Sequence, residues 1–227
     1  LGDANASTRA THERITQRLL HNTTLHKHMG FSYQDINLPA KQRDKLIEKF
    51  SRHYPLSEQA IGQSPSLWEW GGRWSLSNNE SLPWNRELIA RFEDRWQWTD
   101  RRGADALSGN GALPWEEEMI SRYRDQWDWR ILSGNEALPW SEALVERFND
   151  KWSWRKLSGN ESVPWGEELI ERFEDRWVWL VRGTLSQNEA LPWSEALIER
   201  YEDQWDWEGL GLSGNEALPW STELIGR

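Results

Sequence analysis

Apolar positions return in one cadence along most of the chain. Its clearest copy spans residues 132–154, LSGNEALPWSEALVERFNDKWSW. Within it, Trp140, Leu144, Phe148 and Trp152 stand at i, i+4, i+8 and i+12, and Val145 widens the stripe. That spacing makes one apolar face of a helix and not a strand alternation. Ser141 follows Pro139-Trp140 as a candidate N-cap, and Ser194 and Ser221 stand in equivalent places. The pattern predicts a three-turn helix over about 141–152. Glu-rich first turns, such as Glu167-Glu168, suit the positive end of the helix dipole. Upstream, Ser133-Gly134-Asn135-Glu136 has capping-box spacing, and Pro139 follows closely. This predicts a short helical turn over 133–138, closed by the proline.

The cadence is a repeat. Its Pro-Trp anchor recurs at Trp84, Trp115, Trp140, Trp165, Trp193 and Trp220, with spacings of 31, 25, 25, 28 and 27. The leucine of a Leu-Ser pair lies eight residues before each anchor, from Leu76 to Leu212. A Trp-x-Trp pair lies 12 and 14 residues after it, from Trp96/Trp98 to Trp205/Trp207. All length variation falls between Trp-x-Trp and the next Leu-Ser, as expected of packed units joined by surface loops. Fainter copies precede these: Pro55-Leu56-Ser57-Glu58 leads to Trp68 and Trp70, and Leu46-Ile47-Glu48-Lys49-Phe50 echoes the later LIERF. Residues 36–74 are therefore expected to be divergent, capping-type repeats, and 75–227 tandem repeats with an incomplete last copy. A helix this short is marginal alone. Stacking would bury indoles between neighbours, each removing roughly 150–250 Å² from water. The expected fold is all-α, an α-solenoid of turn-plus-helix repeats of about 25 residues.

Composition sharpens this picture. There are 19 Trp, all between Trp68 and Trp220, against 2 Met and 5 Phe. A core must therefore be built from indoles. Residues 1–63 hold 9 basic and 6 acidic residues and all 5 His; the rest hold 18 basic and 31 acidic. Residues 1–35 thus form a basic, His-containing segment with helical content over 11–29, ahead of an acidic body of charge −13. An acidic body is repelled by phosphate backbones, so nucleic acid is disfavoured as a partner. No run approaches 18 apolar residues, which excludes a transmembrane helix. Cys is absent, so disulfides and thiolate chemistry are excluded while the redox compartment stays open. A cytoplasmic location is the expectation. The chain starts at Leu1 without a leader pattern and is expected to be a piece of a longer one.

Three polar series recur. Asn79, Asn110, Asn135, Asn160, Asn188 and Asn215 follow each Leu-Ser leucine by three and are expected to satisfy backbone groups in the turn. Arg91, Arg122, Arg147, Arg172 and Arg200 follow the anchor by seven, with Asp94, Asp125, Asp150, Asp175 and Asp203 three further on. Such pairs face each other on a helix and are expected to form local surface ion pairs. The two indoles of Trp-x-Trp cannot share a helical face, so one is expected in the core and the other over the turn or exposed. His21, His26 and His28 lack the spacing of a metal motif. No cofactor or metal is expected.

Binding is expected at positions that change while the frame stays constant. Between the tryptophans stand Gln97, Asp128, Ser153, Val178 and Asp206. Nine after the anchor stand Glu93, Arg124, Asn149, Glu174 and Glu202, the last four being the candidates. The longest connection, 99–106, adds Arg101 and Arg102. The cadence Trp-x-Trp, Leu-Ser-x-Asn, Pro-Trp over residues 68–227 resembles tandem Trp-rich repeats in uncharacterised proteins of large DNA viruses and bacteria. The resemblance implies a repeat architecture and brings no activity and no functional residue with it; residues 1–63 lie outside it.

No Gly-rich phosphate loop, nucleophile elbow or repeat-borne His points to an enzyme, and the carboxylates recur in every unit where an active site is normally singular. The expected function is a non-enzymatic scaffold that binds a protein partner through the repeat surface or the variable loops. The first alternative is a structural protein that binds itself, stacking end to end through the open face of the half-unit ending at Arg227. The second is the target-recognition region of a larger enzyme or effector.

Overall fold

In a computed structural model of the chain, the described residues are 39–99, 106–207, 211–219 and 221. The basic amino-terminal segment, 1–35, and its four histidines lie outside them. The chain divides into a unit ending at Arg43 and a larger unit, Asp44–Arg227. Of the first, only the opening of helix α1 (Ala40–His53) is described. The description below concerns the larger unit.

Among the described residues every regular element is helical and none is a strand. After α1 come α2 (Glu58–Gln63), α3 (Arg86–Arg91), α4 (Glu117–Arg122), α5 (Trp129–Leu132), α6 (Glu142–Arg147), α7 (Trp154–Ser158), α8 (Glu167–Arg172) and α9 (Glu195–Arg200). Short 3-10 turns open the copies at Leu76–Asn78, Leu107–Gly109, Leu185–Gln187 and Leu212–Gly214.

The main helix is shorter than its apolar stripe. Ser141 caps α6 as expected, accepting from the Leu144 N–H at 3.1 Å, and Ser194 caps α9 in the same way. Asn85 does so for α3, accepting from Leu88 at 2.7 Å. However, α6 ends at Arg147, and residues 148–151 continue as turns rather than helix to 152. The cause is an indole. In a continuing helix the Val145 carbonyl would accept from the Asn149 N–H. Instead it accepts from Trp152 Nε1 at 3.1 Å, while the Asn149 N–H turns to the Glu146 carbonyl at 3.3 Å. Trp96, Trp127, Trp177 and Trp205 do the same to the carbonyl seven residues earlier, at 3.0–3.1 Å. The stripe survives because the tightened turn still returns the first indole to the core, at 3–4 % exposure in all five copies.

The other two indoles also bind backbone. Each described anchor donates to the Asn carbonyl five residues back, as Trp140 does to Asn135 at 3.0 Å. The second indole of Trp-x-Trp likewise donates to a carbonyl five residues back, as Trp154 does to Asn149 at 3.1 Å. Three indoles per unit therefore close the carbonyls that its short helices leave open. Within a unit the anchor, the Phe or Tyr and the first indole pack together: Trp140–Trp152 centroids are 5.0 Å apart, and Phe148–Trp152 meet edge-on at 6.1 Å.

The predicted turn at 133–138 is divided in two. Helix α5 runs into a turn at 133–134, Asn135 interrupts it, and a second turn follows at 136–137. Ser133 does not start a capping box, because its hydroxyl is engaged elsewhere. It donates to the Trp129 carbonyl at 2.5 Å and accepts from the Ser153 N–H at 2.8 Å.

Linker length leaves this geometry unchanged. The x residue of each Trp-x-Trp accepts from the N–H of the next Leu-Ser leucine whether 4 residues separate them (Asp128 to Leu132, 2.8 Å) or 10 (Gln97 to Leu107, 2.8 Å). The short linkers run as α5 and α7. A longer one, 180–184, bends at Gly183, whose φ of 74° is a glycine conformation. Deleting residues 100–105 leaves two residues between Trp98 and Leu107, as between Trp129 and Leu132. We expect the shortened chain to fold with a stability change within about 1 kcal/mol, read by urea unfolding. Loss of the native indole signal would mean that the loop holds the two units together.

Candidate interaction surface

Successive units meet through one recurring polar junction. Its centre is the serine of each Leu-Ser pair. Ser77 donates to the Trp70 carbonyl of the preceding copy at 2.7 Å. Its oxygen also accepts the Gln97 N–H from the end of its own copy at 2.9 Å. Its carbonyl accepts from Asn110 Nδ2 of the following copy at 3.0 Å. Ser108, Ser133, Ser158 and Ser186 repeat all three bonds. Each serine is 0–2 % exposed. Ser51 in α1 keeps two of them, accepting from the Glu69 N–H at 3.2 Å and from Asn79 Nδ2 at 2.9 Å.

The asparagine closes the set. Its Oδ1 accepts from the N–H two residues on, as Asn135 does from Ala137 at 3.0 Å, which fixes the turn before the Pro-Trp anchor. The recurrent Asn thus bonds backbone groups through both ends of its amide, one in the turn and one on the preceding copy. The serine relay was not foreseen. Its signal was in the chain: the separation from serine to x residue is 20 in every strong copy.

The second indole of each pair is the apolar counterpart of this junction. Trp98 packs on Tyr123 and Trp127 of the next copy, with centroids 4.7 and 4.8 Å apart. Trp129, Trp154 and Trp179 repeat the contact. Arg176 lies over the outer side of Trp154 at 5.6 Å. These indoles are not a bare row; they join neighbours.

The arginine series behaves differently from expectation. Arg91, Arg147, Arg172 and Arg200 reach glutamates of the preceding copy: Glu58 at 2.9 Å, Glu117, Glu146 at 3.4 Å with Glu142 at 3.9 Å, and Glu171 at 2.7 Å. The aspartate three residues on is exposed in each case. With the helix ending at the arginine, its i+3 neighbour no longer lies on the same face. These pairs are half-exposed, so each adds at most about 1 kcal/mol. The serine, asparagine and indole contacts dominate the junction.

The expected binding residues separate into two groups. Those between the tryptophans lie half-buried inside the junction. Asp128 caps α5 with its carboxylate, accepting from Arg130 and Ile131, and Ser153 stands at the N-cap position of α7. The Gln97 side chain accepts from the Gly72 N–H. Val178 and Asp206 accept through their carbonyls from Leu185 and Leu212 at 3.1 and 2.7 Å. The second group is held through its backbone carbonyls. The carbonyls of Arg124, Asn149, Glu174 and Glu202 receive the indoles of Trp129, Trp154, Trp179 and Trp207 at 2.8–3.4 Å. The side chains of Arg124, Glu174 and Glu202 are exposed; Asn149 turns to the Glu146 carbonyl at 2.7 Å. Arg101 and Arg102 lie outside the described residues.

Burial pushes the phenols of Tyr123 and Tyr201 above the ordinary tyrosine range; the adjacent arginines oppose this, and nearby glutamates add to it. The Tyr201 hydroxyl is buried without a hydrogen-bond partner, where other copies carry Phe92, Phe148 or Phe173. Tyr201→Phe is therefore expected to raise stability by up to about 1 kcal/mol, because a desolvated donor is removed. The sign with pH follows from the raised pKa. The neutral phenol favours the fold at and below about pH 10, and stability is lost as pH rises through the folded value. The variant should lose less stability than the parent in alkaline melts, and an unchanged alkaline limb would refute this.

Among the described residues no group of three His, Cys, Asp or Glu is placed to hold a metal, and no helix is long and apolar enough to cross a membrane. No protein-family model, curated protein or solved structure matches the chain.

Proposed function

We propose that the larger unit is an α-solenoid and works as a non-enzymatic scaffold for a protein partner. The observation that carries this reading is the contrast at the position nine after the anchor. Its carbonyl is held by the same indole in successive copies, while its side chain changes from Glu93 to Arg124, Asn149, Glu174 and Glu202. A constant frame carrying a varied side-chain row is what a modular recognition surface needs. The junction itself is closed, since its serine and asparagine groups are consumed by backbone. Recognition would therefore fall to this row and to the loops between copies, including Arg101 and Arg102.

The test uses the full chain as bait, beside the triple variant Arg124→Glu, Glu174→Arg, Glu202→Arg. These changes alter exposed side chains and leave the indole–carbonyl bonds in place. The expected result is a captured protein that binds the purified parent directly, and binds the variant at least tenfold more weakly at unchanged Tm. Recovery of the chain alone, as concentration-dependent assemblies in light scattering, would replace this reading by self-assembly.

A further inference from the structure

One junction breaks the arginine–glutamate rule, and we infer that it is a binding cleft for an acidic peptide segment with Arg122 as its carboxylate receptor. This deepens the scaffold reading and rests on it for the peptide nature of the ligand.

The rule elsewhere is that the arginine seven after an anchor finds a glutamate two or six residues after the preceding anchor. Arg147 has Glu117, Arg172 has Glu142 and Glu146, and Arg200 has Glu171. For Arg122 those two positions are Arg86 and Ala90. A guanidinium and a methyl group stand where its partner would be. The change is not compensated from its own helix. Glu118, four residues before Arg122, is taken by Arg86 at 3.0 Å, and Arg86 also pairs with Glu116. Glu93, which acts on the neighbouring Tyr123, receives Gln126 Nε2 at 3.2 Å. Arg122 itself is exposed and lies 5.3 Å from the Tyr123 ring centroid.

The same junction opens a small, solvent-open cleft of about 60 Å³, lined by Arg86, Ile89, Glu118, Met119, Arg122 and Tyr123. Its lining combines an apolar floor with a guanidinium that lacks the carboxylate its counterparts hold. Met119 stands where other copies have Leu88, Leu144, Leu169 or Leu197, and a thioether adapts its shape more readily than a branched chain. The chemistry that fits is a carboxylate accepted by Arg122, with an adjacent aliphatic side chain over Ile89, Met119 and Tyr123. A peptide glutamate or aspartate flanked by leucine has both parts.

The chain holds 2 Met, Met29 and Met119, and methyl-labelled methionine places the Met119 reporter in the cleft lining. The probes are Ac-Leu-Glu-Leu-amide, its Gln analogue and inorganic phosphate, each titrated into the full chain. We expect the Glu peptide to shift the Met119 methyl signal saturably. The Gln analogue should need at least tenfold higher concentration, and phosphate should leave Met119 in place. Arg122→Gln should abolish the difference between the two peptides, while Arg147→Gln, at a paired position, preserves it. Equal responses to the two peptides, an unmoved Met119 signal, or a phosphate response matching the Glu peptide would each overturn the inference. Direct probe binding with no protein captured in the preceding experiment would instead remove the scaffold reading and leave the cleft.

Discussion

Trp152→Ala is expected to cost about 4 kcal/mol of unfolding free energy, more than any surface change in the same unit. The first part of the loss is packing. Trp152 is 4 % exposed and touches Trp140, Phe148 and Trp129 of the preceding copy, so truncation leaves a cavity between three rings. The second part is polar. The Val145 carbonyl loses its indole donor at the place where the helix has already released its backbone one. Trp152→Phe separates the two: it keeps most of the ring contacts and orphans the carbonyl. Its expected cost is about 2 kcal/mol, within the general range for a desolvated, unpaired group. Urea unfolding measures both. An alanine variant within about 1 kcal/mol of the parent would mean that the indole is not a core element.

Asn160→Ala is the second large effect. The side chain is 3 % exposed and makes two bonds that nothing else supplies: Nδ2 to the Ser133 carbonyl of the preceding copy at 3.0 Å, and Oδ1 from the Ser162 N–H at 3.0 Å. Truncation leaves a buried carbonyl and a part-buried N–H unpaired, for an expected loss of about 2–4 kcal/mol. By comparison, Arg172→Gln removes only exposed ion pairs and should cost well under 1 kcal/mol. Asn160→Asp gives the same account a pH signature. A carboxylate oxygen would replace the donor facing the Ser133 carbonyl, and burial would raise its folded pKa above the unfolded value of about 3.9. The variant should therefore be most stable at and below that unfolded value, and should lose stability as pH rises through the folded one. A flat profile from pH 4 to 7 would show that this position is not enclosed.

The Pro-Trp spacing made the repeat and its helical class legible, because apolar side chains every fourth residue leave few alternatives to a helix packed on one face. The Ser141 and Ser194 caps were legible for the same local reason. The helix end was not. Periodicity carried the stripe to Trp152, whereas the break at Arg147 depends on an indole replacing a backbone donor seven residues away, a competition that hydrophobicity does not encode. The arginine partners were missed because they depend on how neighbouring helices are set against each other; Glu117 and Arg147 are 30 residues apart in sequence. Of the candidate binding residues, Arg124, Glu174 and Glu202 present exposed side chains on a constant backbone frame, a pattern visible in their variation. Asp128 and Ser153 vary for another reason, since both stand at the starts of the linker helices that the short spacing forces. Arg122 was grouped with its series. Its difference lies in Arg86 and Ala90, residues of the preceding copy.

Each copy is held to its neighbours by the same serine, asparagine and indole contacts, so one whole copy should be removable. Removing residues 132–156 tests it most directly, because those 25 residues are one whole period and Ile131 then leads into Leu157 as it now leads into Leu132. Ser108 would meet Asn160 in place of Asn135, and Trp129 would meet Phe173 and Trp177 in place of Phe148 and Trp152. The account predicts a folded chain with native near-ultraviolet indole signal, one cooperative urea transition, and an m-value reduced in proportion to the residues lost. A chain that loses the indole signal, or that melts in two separated steps, would contradict it.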